Sequence, residues 1–212
     1  MNVLVSKFGG SSMADANGFR RVHALISAPA RARFIVLSAP GRRHCMDDKV
    51  TDLLLLAHAR AAEGGDNRLI LSAIRARYEE IAEALSIPMD GLFDTLSADA
   101  AFSRDRAAAQ GERLCAMLFA RCADLPFVDA AELIHFDARG RVDAAKTRAA
   151  VQKMARRYSC AVIPGFYGSR PDGEIQTFSR GGSDISGAWI AAALGASLYE
   201  NWTDVDGLMS AD

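Results

Sequence analysis

Short apolar segments alternate with longer amphipathic segments along most of this chain. The segments "NVLVSKF", "RFIVLSAPG" and "CAVIPGFYG" are rich in β-branched residues and end in glycine or proline turns, as buried strands do. Between them, segments such as "GFRRVHALI" space their apolar residues at helical intervals. Parallel strands need long crossover connections, which are usually helices. The alternation therefore predicts an α/β fold, a three-layer αβα sandwich with a mainly parallel central sheet.

The remaining predicted elements continue this pattern. Further helices are predicted in "DKVTDLLLLAHARAAEGG", "DNRLILSAIRARYEEIAEALSIP", "GERLCAMLFARCA", "VDAAKTRAAVQKMARRY" and "GGSDISGAWIAAALGA". Short strands are predicted in "PFVDA" and "LIHFD", and a last strand with a turn in "SLYENWTDVDG". Residues 89–110 are polar and alanine-rich and are expected to form short helices. Because no repeat, linker or low-complexity tract interrupts the pattern, residues 1–212 are expected to form a single domain.

The composition excludes several classes of function. The formal net charge is −1, so the chain offers no basic field for nucleic acid and no polybasic membrane anchor. Its longest apolar run, "AWIAAALGASL", is too short to span a membrane. The four cysteines form no CxxC motif, and we interpret Cys115 and Cys122 as small core residues. These features favour a cytoplasmic protein with reduced thiols.

The turn after the first strand has the composition of an anion site. In "KFGGSS", Gly9 and Gly10 leave backbone N–H groups open to an anion, while Lys7 adds a positive charge and Ser11 a hydroxyl. The lysine precedes the glycines, so the segment is neither a Walker A loop nor a GxGxxG motif. Taken alone, it is equally compatible with a tight turn beside a solvated lysine.

A second glycine pair occurs in "SRGGSD", directly before a predicted helix. Arg180 precedes the pair, and Ser183 and Asp184 follow it. Asp184 would also suit an ordinary helix start, where the helix dipole favours a carboxylate. A cap does not explain a second glycine pair beside a cation, however. Two such turns in one α/β domain suggest that a phosphate chain is held from two sides.

The segments "VSKFGGSSM", "SRGGSDISGAWIAAALGA" and "WTDVDGLMSAD" resemble the motifs of the amino acid kinase family, and within it those of the aspartate kinases. The segments "LSAPG", "KVTDLL", "QGERL" and "PGFYG" lie between them in the family's order, so the resemblance covers the whole chain. It implies the amino acid kinase fold and transfer of the ATP γ-phosphate, with Mg²⁺, to the side-chain carboxylate of L-aspartate. The product would be aspartyl phosphate, on the route to lysine, threonine and methionine.

This chemistry needs no general base. The aspartate side chain has an ordinary pKa of about 3.9 and is already an anion at neutral pH. The difficulty is to bring two anions together and to stabilise the charge on the transferring group. A lysine, glycine-turn amides and a divalent metal meet that need. His44 is accordingly interpreted as a surface loop residue, since the reaction has no proton to remove.

The resemblance also implies roles for individual residues. Lys7 and Asp184 are the predicted catalytic residues: Lys7 neutralises the phosphoryl group, and Asp184 orients Lys7 or the metal. The predicted aspartate-binding residues are Thr51, Glu112, which would pair with the α-ammonium, Arg180, which would grip the α-carboxylate, and Ser183. The predicted nucleotide and phosphate residues are Lys7, Gly9, Gly10, Ser11, Thr203 and Asp204. No residue is assigned as a direct metal ligand. Taken alone, Glu112 is typical of a solvated helix residue and Thr51 of an ordinary helix face.

In the family, "TDVDGLxxAD" is followed by further strands, helices and regulatory domains. The chain is therefore expected to be truncated within its catalytic domain and to be nearly inactive alone. An uncovered sheet edge or helix face would favour a homo-oligomer. Two alternatives stay open: an amino acid kinase of another specificity, such as a glutamate-type enzyme, and a non-catalytic aspartate-binding remnant.

Overall fold

The computed structural model describes residues 3–27, 32–94, 96, 102–179 and 181–203. The strands within these residues are β1 (Val3–Phe8), β2 (Ala32–Leu37), β3 (Cys160–Pro164), β4 (Tyr167–Ser169), β5 (Ile175–Thr177) and β6 (Leu198–Trp202). The helices are α1 (Ala16–Ile26), α2 (Val50–Ala62), α3 (Arg68–Leu85), α4 (Arg104–Ala123), α5 (Ala144–Arg157) and α6 (Gly182–Leu194), with a 3₁₀ helix at Ala130–Glu132.

The central sheet has the strand order β3-β2-β1-β6, and each neighbouring pair is parallel. Alternate residues of β2 point to opposite faces: Phe34 and Val36 join one apolar cluster, and Ile35 and Leu37 join the other. One cluster lies against α1, α3 and α4, and the other against α5 and α6. The prediction of a three-layer α/β sandwich with a mainly parallel sheet is therefore confirmed.

Two predicted strands are wrong. "PFVDA" and "LIHFD" form only isolated bridges, in which Phe127 pairs with Val162 and His135 with Ser169. Between them Asp129 accepts a hydrogen bond from the Ala131 N–H at 3.0 Å and caps the 3₁₀ helix. That side-chain bond turns the backbone out of the extended conformation before a ladder can form.

Two other segments differ in part from expectation. The short helices expected in residues 89–110 give way to α4, which begins at Arg104 after the Ser103 cap and continues to Ala123. Its alanine-rich start favours helix and packs closely. The strand expected to break at glycine in "CAVIPGFYG" does end at Pro164, directly before Gly165. After Phe166, which has a φ of 77°, the chain forms the β4–β5 hairpin, which was not expected.

Cys115 is buried in the cluster beneath α1, α3 and α4, and Cys122 packs against it, as interpreted from the sequence. In the described part of the chain, no helix combines the length and the apolar character that crossing a membrane requires.

Candidate active site

The carboxyl ends of the central strands open into a cleft of about 730 Å³. In parallel sheets this edge is where ligands collect. The sequence-predicted residues that line the cleft are Lys7, Gly9, Gly10, Ser11, Thr51, Glu112, Ser183, Asp184 and Thr203. Arg180 and Asp204 lie outside the described residues. The fold therefore brings every described member of the predicted set to one cavity.

The turn after β1 is held between the loop after β2 and the end of β6. The Gly41 N–H donates to the Gly10 carbonyl at 2.8 Å, and the Gly9 N–H donates to the Trp202 carbonyl at 3.0 Å. A Cβ on Gly41 would lie 2.6 Å from the Gly10 carbonyl carbon, closer than real side chains approach. The loop after β2 thus crosses the turn backbone to backbone, which only glycine permits.

The second glycine turn starts α6. Gly181 has a φ of 72°, in the left-handed region that favours glycine. Behind it the Ser186 hydroxyl accepts from the Phe166 N–H at 2.9 Å and donates to the Gly182 carbonyl at 2.9 Å. These bonds fix the helix start against the bend after β3. The positive end of the α6 dipole, with Ser183 and Asp184, consequently faces the cleft.

A close ion pair joins the two turns. Lys7 Nζ lies 2.7 Å from Asp184 Oδ1. Lys7 is 5% exposed, whereas the Asp184 side chain is 46% exposed. The Tyr199 hydroxyl donates to the Asp184 backbone carbonyl at 3.0 Å and supports the same helical turn from β6. The cleft therefore holds a buried cation whose carboxylate partner stays open to solvent.

Glu112 lies on the wall formed by α4 and is only 5% exposed, so the solvated position indicated by its local sequence is wrong. Burial raises the pKa of its carboxyl from an ordinary 4.5 to about 8, although donation from the Ala39 N–H opposes the shift. Oε2 has no hydrogen-bond partner among the described residues. The carboxyl is buried because Gly111 brings α4 close to Ala39: a Cβ there would lie 2.9 Å from the Ala39 Cβ.

The cleft also contains charged residues that the sequence reasoning missed, namely Arg42, Lys49, Asp52 and Arg104. The basic loop "GRRHCMDDK" was a signal for the first two. Arg104 had no local signal, because the helix start at that point was not recognised. His44 is exposed and does not line the cleft. Within the described ranges, no three His, Cys, Asp or Glu side chains cluster as metal ligands.

These features define an α/β protein with a cleft lined by two glycine turns and a buried lysine at the carboxyl edge of a parallel sheet. The amino acid kinase family model matches residues 2–212. The chain therefore belongs to the amino acid kinase family.

Several relatives within the family are named aspartokinase or aspartate kinase. The chain is 36% identical to aspartokinase 3 of Bacillus subtilis, over 97% of this chain and 49% of that protein. The structure of Clostridium acetobutylicum aspartate kinase matches with a TM-score of 0.92 and 41% identity, over 100% of this chain and 50% of that one. Escherichia coli aspartokinase III in complex with aspartate and ADP matches with a TM-score of 0.81 and 30% identity, over 97% and 50%. The chain thus spans about half the length of these proteins.

Proposed function

We propose that this protein is an ATP-dependent aspartate kinase and that its cleft binds L-aspartate beside the transferring phosphoryl group. The observation that carries the proposal is the buried Glu112 carboxyl, with Oε2 unpartnered among the described residues, in the same cleft as the Lys7–Asp184 pair. A buried carboxylate with an unpartnered oxygen is costly, and a cationic ligand group offsets that cost. The α-ammonium of an amino acid is such a group.

The rest of the amino acid would be held by three further side chains. Thr51 at the start of α2 and Ser183 in the first turn of α6 supply hydroxyls in the cleft. In this proposal Arg180, just before α6, grips the α-carboxylate with its planar fork. Head-group contacts of this kind leave the side-chain carboxylate as the free end of the substrate. The proposal is consistent with the aspartate present in the E. coli aspartokinase III complex.

The nucleotide phosphates would lie on the two glycine turns. Gly9, Gly10 and Ser11 line one side of the cleft, and the start of α6 lines the other. Thr203 and Asp204 are the proposed contacts at the nucleotide end. Mg²⁺ is held in such sites mainly by phosphate oxygens, water and one or two carboxylates. Asp184, half-exposed on the cleft, is a suitable carboxylate, and the bound ion would neutralise phosphate charge.

In the proposed reaction, a side-chain oxygen of aspartate forms a bond to the γ-phosphorus while the bond from that phosphorus to the bridging oxygen of ADP breaks. The attacking carboxylate is already ionised, so no residue removes a proton. Lys7 offsets negative charge on the phosphoryl group, and its burial makes that interaction stronger than it would be in water. The backbone of the glycine turns and Glu112 hold the two anions at a fixed separation.

Calorimetric titration with L-aspartate tests the proposed pocket. Wild type should bind, and Glu112→Gln should weaken binding at least about tenfold, because a hydrogen-bonded charge pair contributes roughly 1.5–3 kcal/mol. Glu83→Gln, an exposed α3 residue, is the matched control and should change nothing. Unaltered binding by Glu112→Gln would remove Glu112 from the pocket. Preference for L-glutamate would instead support a different amino acid kinase.

Turnover is tested by ADP release with aspartate, Mg²⁺ and ATP. The 212-residue chain is assayed beside a chimaera that continues into the second half of Bacillus subtilis aspartokinase 3. Aspartate-dependent ADP release by either protein, abolished by Lys7→Ala, supports the kinase. Aspartate binding with no turnover in either would favour a non-catalytic aspartate-binding protein.

We also propose that the protein forms a homo-oligomer. β6 is an edge strand of the described sheet and exposes Leu198 and Trp202, at 49% and 40%. Exposed apolar residues on an edge strand favour association. Sedimentation velocity should show a species larger than the monomer that is diminished by Trp202→Lys; a monomer at all concentrations would contradict it.

A further inference from the structure

We infer that Arg77 of α3 is a positioning residue that holds both walls of the cleft through one loop, residues 38–49, called here the crossing loop. Arg77 does not line the cleft. The inference rests on the proposed function, because it concerns the same site.

Arg77 is buried beneath the crossing loop and contacts it at three points. Its side chain is 4% exposed. Nη2 donates to the Gly41 carbonyl, and Nη1 donates to the Asp48 carbonyl at 3.2 Å. Nη1 also lies 2.8 Å from Asp47 Oδ2. A planar guanidinium can make these contacts together, whereas an ammonium at the same place cannot.

Asp47 ties the crossing loop to itself. Its Oδ2 accepts from the Arg43 N–H at 2.9 Å and from Arg43 Nε at 3.0 Å. Bonding to Arg43, with the charge of Arg77 beside it, holds the pKa of the Asp47 carboxyl well below its usual range. Arginine stays protonated in proteins. The Arg77–Asp47 pair is therefore charged at every pH at which the protein would be assayed.

The crossing loop reaches both sides of the cleft. The Gly41 N–H donates to the Gly10 carbonyl at 2.8 Å, on the phosphate side. Ala39 packs against the turn of α4 that carries Glu112, since a Cβ on Gly111 would lie 2.9 Å from the Ala39 Cβ. The Ala39 backbone also favours the charged form of Glu112, on the proposed α-ammonium side. The residue after Arg77 acts on the same wall, since the Tyr78 hydroxyl donates to the Gly111 carbonyl at 2.7 Å. Adjacent residues of α3 thus support the loop and the helix turn that carries Glu112.

This arrangement predicts that loss of Arg77 changes the titration of Glu112. If the crossing loop shifts, the Glu112 carboxylate loses the Ala39 N–H that stabilises its charged form, and its pKa rises further. Arg42 and Lys49 also line the cleft, but they belong to the crossing loop and would shift with it. Other groups that face or couple to Glu112 stay in place: Lys7, Asp52, Arg104 and Asp184 in the cleft, with Tyr78, Cys115 and Tyr167 behind it.

The experiment measures this pKa without any ligand. Carbon-13 NMR follows the side-chain carboxyl signals of labelled glutamate against pH, with Glu112→Gln to assign the resonance. In Arg77→Met the midpoint should rise by about one unit above wild type, the effect of losing one hydrogen bond to a charged group. Arg77→Lys should show a smaller rise. Arg75→Met, an exposed position on the same helix, should leave the midpoint unchanged.

Aspartate binding at pH 7 is the second measurement. There Glu112 is mostly protonated, so a rise of about one unit in its pKa should weaken binding about tenfold in Arg77→Met. A midpoint equal to wild type in folded Arg77→Met overturns the inference. If circular dichroism shows that Arg77→Met is unfolded, the titration midpoint of Arg77→Lys is compared with wild type instead, and an equal midpoint again overturns the inference. Absence of aspartate binding in wild type would contradict the proposed function. The role of Arg77 would then be tested by the NMR titration alone, which needs no ligand.

Discussion

Lys7 Nζ at the end of β1 lies 2.7 Å from Asp184 Oδ1 in the first turn of α6. The two residues belong to different glycine turns, and each turn has the composition of an anion site. Asp184 therefore supplies the negative charge that a buried lysine needs when no phosphate is bound. It also aims the ammonium across the cleft between the two turns.

Removing the charge of Asp184 should destabilise the protein more than removing the charge of Lys7. Asp184→Asn leaves the Lys7 charge buried without an anion and should lower the free energy of unfolding by about 1–3 kcal/mol, since the half-exposed carboxylate is partly screened. Lys7→Met removes the buried charge and should change stability by less than about 1 kcal/mol. Urea unfolding of the two variants beside wild type measures both. Equal losses would mean that the pair does not compensate a buried charge.

Aspartate affinity should depend on pH through Glu112. Its pKa is about 8 in the ligand-free protein, raised by burial, and only the ionised form pairs with an α-ammonium. The dissociation constant should therefore fall about tenfold per unit as pH rises towards 8 and then level off. Titration calorimetry between pH 6 and 9 measures this. Glu112→Gln should bind weakly with no such slope, and a wild-type affinity independent of pH would contradict the assignment.

The same carboxyl should also make stability depend on pH. Between its ordinary pKa of 4.5 and about 8, the folded protein keeps a proton that the unfolded chain has released. The contribution of Glu112 to stability is therefore greatest at low pH and falls as pH rises through this window. Glu112→Gln lacks this loss and should be more stable than wild type at pH 9 by about 1–3 kcal/mol, with a smaller difference at pH 5. Unfolding by urea at both pH values is the measurement, and a constant difference would count against the raised pKa.

The contact between the turn after β1 and the crossing loop predicts the effect of added side chains. A Cβ on Gly41 would meet the Gly10 backbone at 2.6 Å, so Gly41→Ala should destabilise the fold by about 1–3 kcal/mol. Gly9→Ala is the comparison, because its nearest neighbours would lie at 3.4 and 3.5 Å, an ordinary contact distance. In thermal unfolding, the melting temperature of Gly41→Ala should be well below that of Gly9→Ala. The reverse order would show that the loop yields easily.

Arg180 lies outside the described residues, and its prediction rests on the sequence. Arg180→Lys retains the charge but loses the fork, so L-aspartate should bind more weakly by roughly 1.5–3 kcal/mol. Titration calorimetry measures this affinity. The matched control is Arg170→Lys, at the end of β4 and outside the cleft. Unchanged affinity in Arg180→Lys would mean that the α-carboxylate is held elsewhere.

The amino-acid sequence alone determined the layers of the fold and the positions of its glycine turns. Apolar alternation and helical spacing are local signals, because each records which face of one segment is buried. Glycine pairs after β1 and before α6 are local signals as well, since the turn conformation is a property of a few residues. Those signals located the two glycine pairs, Gly9–Gly10 and Gly181–Gly182, which line the cleft. The roles of single residues came from the family resemblance and not from the spacing.

Tertiary structure alone decided which polar residues are buried and which short segments are strands. Phe127 and His135 lie in sequences typical of strands, but a strand also needs a partner along its length, and Asp129 turns the chain away first. Glu112 has the sequence of an exposed helix residue, but Gly111 brings its helix against Ala39. Arg77 carried no signal, because its partners lie on a loop that only the folded chain brings near. Burial and pairing depend on what packs against a segment, and that information is spread along the whole chain.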